Sequence, residues 1–175
     1  MARRWWTLVV VCLGTFMLLL DVTIVMVALP DMERELSASF TQLEWVTDAY
    51  ALSLAALLLT AGSLSDRFGR RLVFGLGLIV FTAGSALCGA AVNPEMLIGS
   101  RAAQGVGGAM LFATSLAILA ATFTGRERGI AFGVWGAVTG IATAVGPILG
   151  GAITTGFSWR GIFYVNVPSA PSLCS

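Results

Sequence analysis

The apolar positions of this chain run in long unbroken stretches, not at the alternating or three-to-four spacing of a half-buried element. Five stretches reach the roughly twenty residues that a helix needs to cross a hydrocarbon core: about 5–30, 45–64, 72–92, 96–123 and 129–156. An open sheet would leave backbone N–H and C=O groups unsatisfied in lipid, so these stretches predict helices. The expected fold is all-α: a polytopic transmembrane helix bundle, with residues 1–175 forming one partial transmembrane domain. Segment 159–168, WRGIFYVNVP, opens like the entry to another helix, and SAPSLCS follows it. Residues 161–175 reach only about 22 Å as a helix, against a core of roughly 30 Å. The chain therefore reads as five spans plus the start of a truncated sixth.

Few polar residues interrupt this pattern. The first stretch contains Asp21, the second opens with Asp48, and the fourth contains Arg101. The start, MARRWWTLVVVCLG, has the basic end and apolar run of a signal peptide. The run continues to Pro30 without a small-x-small cleavage site, so a retained first span is expected.

Composition agrees. The chain is 57% hydrophobic and 11% charged, where a soluble domain carries about a quarter charged residues. A formal net charge of +1 gives no bulk basic signal for nucleic acid. Histidine is absent, and Cys12, Cys88 and Cys174 are scattered without a CxxC. Zinc and thiol-redox chemistry therefore have no support, and Cys12 and Cys88 read as small apolar residues inside spans. No nucleophile–base pair, metal cluster or cofactor loop marks an enzyme. Gly105-x-Gly107-Gly108 lies inside a span with no preceding strand, so it is not a nucleotide loop.

Arginine distribution sets the expected orientation. With the N-terminus inside, Arg3, Arg4, Arg67, Arg70, Arg71, Arg126 and Arg128 fall inside, and only Arg34 and Arg160 fall outside. Cytoplasmic loops are enriched in such residues, so the N-terminus and the segment 62–71, GSLSDRFGRR, are expected to be cytoplasmic in a multi-pass protein of the cell membrane. Trp5, Trp6, Trp45 and Trp159 lie near span ends, where an aromatic belt places them.

Four features carry candidate chemistry. Asp21 sits within a span, where a carboxylate costs about 2.5–3.5 kcal/mol to insert and usually faces a cavity, pairs or titrates. Its bland alternative is a structural hydrogen bond or ion pair between helices. Arg101 lies about 7–9 Å below the outer end of the fourth span, and Asp21 about 13 Å below that of the first. A long arginine side chain can bridge that difference, directly or through water, and its movement would switch Asp21 between proton release and uptake. The alternative is that Arg101 snorkels to the outer surface. Gln104 shares its helix face at i+3, placed either to hydrogen-bond or to pack. The fifth span shows a face of small residues, Gly133, Ala137, Gly140, Ala144, Pro147 and Gly151, of the kind that lets helices approach closely in lipid. Pro147 should bend that helix, and Gly146, Pro147, Gly150 and Gly151 suggest a bend used in gating. In the charged segment, Gly62 and Gly69 permit a tight turn beside Asp66, Arg67, Arg70 and Arg71.

Together these pieces resemble the major facilitator superfamily. GSLSDRFGRR is similar to its loop motif between the second and third helices. LDVTIVMVALP, residues 20–30, resembles the first-helix motif of the fourteen-helix drug:proton antiporter branch, with Met26 where that motif usually has asparagine. RAAQGVGGA, residues 101–109, is similar to the fourth-helix motif, GPILGG, residues 146–151, to the fifth-helix antiporter motif, and WRGIFYVNVP to the entry of helix six. The resemblance implies a proton-driven multidrug exporter of lipophilic, often cationic compounds, with no cofactor. It assigns proton and substrate coupling to Asp21 and Arg101, with Gln104 beside them. It assigns a cytoplasmic gate to Gly62, Asp66, Arg67, Gly69, Arg70 and Arg71, and antiport direction to the bent fifth helix. Its partners would be the bilayer, protons, such compounds and the missing C-terminal half, without which this chain is not expected to transport. Two alternatives stay open: an uptake carrier for a metabolite, and a non-transporting membrane fragment that associates with a partner.

Overall fold

The computed structural model describes residues 2–156 and 158–166. The expected end of the sixth segment, Val167 to Ser175 with Cys174, lies outside the described residues. Five long helices follow one another: α1 Ala2–Leu36, α2 Phe40–Phe68, α3 Arg70–Gly89, α4 Pro94–Thr122 and α5 Gly125–Gly156, with a short α6 Gly161–Tyr164. All five long helices are apolar and long enough to cross a membrane.

Helices α2 and α4 begin ahead of their apolar stretches, where polar residues cap their starts. Ser39 accepts from the Gln42 amide and Gln42 returns a bond to the Ser39 amide, a capping box that starts α2. Asn93 accepts from the Met96 amide and Pro94 occupies the first turn of α4, where its missing N–H costs nothing. The connection between α2 and α3 differs from expectation. Residues 62–68 are helical and belong to α2, while Arg70 and Arg71 open α3. The ten-residue charged loop is thus a junction of one residue, Gly69, at φ 98°. That left-handed backbone is open to glycine without strain. Gly62 makes no turn; it sits inside α2.

Packing centres on α4, which lies against α2 and α3 and crosses α1, while α1 also packs along α5. One apolar cluster fills the half of the bundle that carries the N-terminus, around Leu8, Phe74, Phe81, Leu111 and Phe123. A second fills the opposite half, around Ile24, Met32, Leu97, Trp159 and Phe163. Backbones come very close at the α3–α4 crossing, where a Cβ on Gly107 would lie 2.4 Å from the Phe81 amide nitrogen. Small residues at such crossings supply the close packing that replaces the hydrophobic drive in lipid.

The fifth helix corrects the sequence reading. Gly133, Ala137, Gly140, Ala144 and Pro147 are exposed and Gly151 is half-buried. The helix is instead seated on α1 through a neighbouring face that includes Ala131, Ala142, Gly146 and Gly150. A Cβ on Gly146 would fall 1.8 Å from Thr23 Oγ1. Helix α5 continues unbroken through Pro147 to Gly156.

Candidate functional site

A polar cluster lies within the bundle where α1, α2, α3, α4 and the α6 segment meet. Asp21 and Arg101 are each 1% exposed, Gln104 and Ser85 0%, and Asn166 2%. Arg101 does not snorkel. Its Nη1 donates to Asp21 Oδ2 at 2.5 Å and to Gln104 Oε1 at 2.8 Å, and its Nε donates to the Val46 carbonyl at 3.2 Å. The guanidinium lies 4.2 Å from the Tyr50 ring centroid and 6.0 Å from that of Phe163. Its charge is therefore met by a carboxylate, an amide oxygen, a carbonyl and an aromatic face.

The carboxylate is as fully engaged. Asp21 Oδ1 accepts from Gln104 Nε2 at 2.9 Å and from Asn166 Nδ2 at 3.2 Å. Both amides also donate to Ser85 Oγ, at 2.7 Å and 3.0 Å. The Cys88 thiol reaches Gln104 Oε1 at 3.7 Å, so Cys88 is part of this cluster as well as an apolar filler. Burying two charges is tolerable only with such geometry, because desolvation costs several kcal/mol per ion and Coulomb attraction must offset it. Tyr50 Oη is buried without a hydrogen-bond partner among the described residues. Helix α5 brings no titratable group here; its charged residues are Arg126, Glu127 and Arg128 at its start.

The structure thus brings Asp21, Arg101 and Gln104 together, by a direct contact. It keeps the other candidates apart from them. Asp66 accepts from Arg70 Nη2 at 3.1 Å on the exposed end of α2, and Arg70 Nη1 donates to the Ala117 carbonyl of α4 at 2.8 Å. Gly69 makes the turn, and Arg67 and Arg71 are exposed. Gly146 and Gly150 press on Thr23 and Ile24, just past Asp21, while Pro147 points away.

Sequence reasoning missed Ser85, Asn166 and Tyr50. The available signal was modest: hydroxyl and amide groups inside apolar stretches. It also misplaced Trp159, which is 2% exposed and not part of an interfacial belt. Its indole Nε1 donates to Glu35 Oε2 at 2.5 Å. Arg160 pairs with the other oxygen of Glu35, stacks 4.5 Å from the Trp159 ring and donates to the Ala91 carbonyl at 3.1 Å. The remaining three tryptophans at span ends, Trp5, Trp6 and Trp45, are exposed.

Five apolar helices around a buried ion pair define a multi-pass membrane protein. The sequence profile of the Major Facilitator Superfamily matches residues 11–171, and the chain belongs to that superfamily of transporters. It is 45% identical over 162 residues to the methylenomycin A resistance protein of Bacillus subtilis, covering 92% of this chain and 35% of the relative. It is 46% identical over 169 residues to a puromycin resistance protein of Streptomyces alboniger, covering 96% and 34%. The riboflavin transporter RibZ of Clostridioides difficile is 39% identical over 168 residues, covering 96% and 37%. The chain spans about a third of the length of these curated relatives. Among solved structures, a bacterial homologue of the human lysosomal transporter Spinster, in an inward-facing and unoccupied conformation, superposes with a TM-score of 0.77 at 20% identity. That match covers 97% of this chain and 42% of that one, and shows the fold.

Proposed function

We propose that this chain is the N-terminal part of a proton-coupled multidrug exporter, a drug:proton antiporter of the fourteen-helix branch, resident in the cell membrane with its N-terminus cytoplasmic. The observation that carries the reading is the buried Asp21–Arg101–Gln104 cluster. A proton reaching Asp21 Oδ2 needs Arg101 to withdraw from it. Arg101 then keeps Gln104 Oε1, the Val46 carbonyl and the Tyr50 face as partners, so its charge stays solvated by protein. Release of the proton restores the ion pair. Two states of one pair are what coupling to a proton gradient requires, and that gradient supplies about 2.3 kcal/mol per charge per 100 mV besides its pH component.

The resistance proteins among the relatives support a role in drug resistance, which export would supply. On this reading the exposed faces of α2 and α5 meet the other half of a two-half transporter, with substrate between the halves. The Asp66–Arg70 group would form the cytoplasmic gate, and the Gly146–Gly151 stretch of α5 would limit leak. The riboflavin transporter relative favours a second reading, carriage of a metabolite through the same scaffold.

In a full-length transporter that contains this segment, Asp21→Asn should abolish pH-driven efflux while leaving substrate binding measurable. Inverted vesicles offered a lipophilic cationic dye or riboflavin would separate the two readings. Undiminished pH-driven efflux by Asp21→Asn would remove Asp21 from the coupling step.

A further inference from the structure

The segment from Trp159 to Asn166 is fastened at both ends to carboxylates of α1. At the far end of the bundle, Trp159 and Arg160 hold Glu35. Deeper in, Asn166 Nδ2 holds Asp21 Oδ1 and Ser85 Oγ. Between these points Ile162 and Phe163 are buried in the apolar cluster that includes Cys88 and Leu97. The Tyr164 ring lies on Gly89, where a Cβ would come within 2.8 Å of it. The segment is a strap across α1 and α3, lying over the Asp21–Arg101 pair.

Asn166 is the one fastening that reads the state of the pair. An amide N–H donates more strongly to a carboxylate than to a neutral carboxyl, roughly twice as strongly for charge-assisted bonds in general. Asp21 faces Arg101 and Gln104 from α4, Tyr50 from α2, Ser85 and Cys88 from α3 and Asn166 from the strap. Arg101, Gln104 and Asn166 donate to its oxygens, and of the three only Asn166 sits on a segment outside the long helices.

We propose that Asn166 is a positioning residue that ties the seating of the strap to the charge of Asp21: the strap is latched while Asp21 is ionised and loosens when that charge is neutralised. This deepens the proposed proton coupling, because it gives the charge of Asp21 a conformational output at the start of the sixth helix.

The chain carries its own reporters. Cys88 is fully buried beside the strap, and Cys12 is buried in the other apolar cluster. In lipid nanodiscs, with Cys174→Ser, maleimide labelling of both thiols can be followed together by mass spectrometry. Asp21→Asn and Asn166→Leu should each speed labelling of Cys88 about tenfold, the scale of one lost charge-assisted hydrogen bond, and leave Cys12 slow. Combining them should add little, because both open the same latch. The exchanged pair Asp21→Asn/Asn166→Asp, which puts the carboxylate on the strap and the amide on α1, should slow Cys88 again. Unchanged labelling in Asp21→Asn, equal acceleration at Cys12, or no recovery in the exchanged pair would each overturn the latch. None of these readouts depends on transport, so failure of the latch and failure of Asp21 as the coupling acid are told apart by the efflux assay.

Discussion

At the scale of single residues, the structure turns on three side chains whose charges or dipoles have no access to water. Removing one member of a buried pair leaves the other uncompensated, which costs about 3–5 kcal/mol, whereas replacing both is often close to neutral. Arg101→Met should therefore destabilise the chain by about that amount. Asp21→Asn/Arg101→Met should recover most of it, because Gln104 and Asn166 remain to donate to an asparagine oxygen and Gln104 Oε1 loses its Arg101 partner. Unfolding in mixed micelles measures both. A double variant no more stable than Arg101→Met would show that the pair is held by something other than mutual charge compensation. Asp21 and Arg101 were legible in the sequence because charge inside an apolar run is costly and therefore conspicuous, and Gln104 because it shares the helix face of Arg101 at i+3. Ser85 and Asn166 were not, because a hydroxyl or an amide in such a run has many structural uses. Their role depends on the fold bringing the Asn166 amide to Asp21 Oδ1 and setting Ser85 Oγ of α3 where that same amide also donates to it.

At the scale of elements, glycine is used in two opposite ways. On α4, Gly107 lies against α3 backbone that cannot step aside. On α5, Gly136 and Gly140 have nothing within 4 Å of an added Cβ. Gly107→Ala should cost about 1–3 kcal/mol by overpacking, more than the roughly 1 kcal/mol that alanine gains over glycine within a helix. Gly136→Ala should instead raise the melting temperature of this chain in detergent. In a full-length transporter the sign for Gly136→Ala should reverse if that face meets the second half, so comparing the two melts tests the assignment of the face. The periodicity of the fifth span revealed a small-residue stripe correctly as a pattern. It did not reveal which of two adjacent glycine-bearing faces α1 occupies. Only the register against Thr23 and Ile24 decides that, and a single helix's spacing holds no information on its partner's register. The same holds for segment 62–71. Its charges suggested a loop, yet Arg70 reaching back to Asp66 at i+4 spacing spans a junction of one residue.

At the scale of the whole molecule, the asymmetry of charge between the two ends gives the orientation proposal its force. One end exposes Arg4, Arg67, Arg71, Arg126 and Arg128, with Arg70 partly buried beside Asp66. Arg4 also pairs loosely with Glu127 at 3.6 Å. The opposite end has Arg34 and Arg160, and both are answered by acids of α1: Asp31 at 3.7 Å for Arg34, and Glu35 for Arg160. The imbalance in arginines seen along the sequence therefore persists in the folded structure, with Arg67, Arg71, Arg126 and Arg128 exposed at one end, and Arg34 and Arg160 at the other, each beside an acid of α1. Basic residues favour the cytoplasmic side, so the end carrying Gly69 and Gly125 should face the cytoplasm. The turn residue Thr124 and the opposite-end Val92 are both exposed and suit a labelling test. With the three native cysteines replaced, Thr124→Cys should react with a membrane-impermeant maleimide in sealed inverted vesicles and stay unreactive in intact spheroplasts. Val92→Cys should do the reverse. The opposite pattern at both positions would turn the bundle over and place Asp66 and its arginines on the outer surface. They could not then form a cytoplasmic gate, whatever the Asp21–Arg101 pair does.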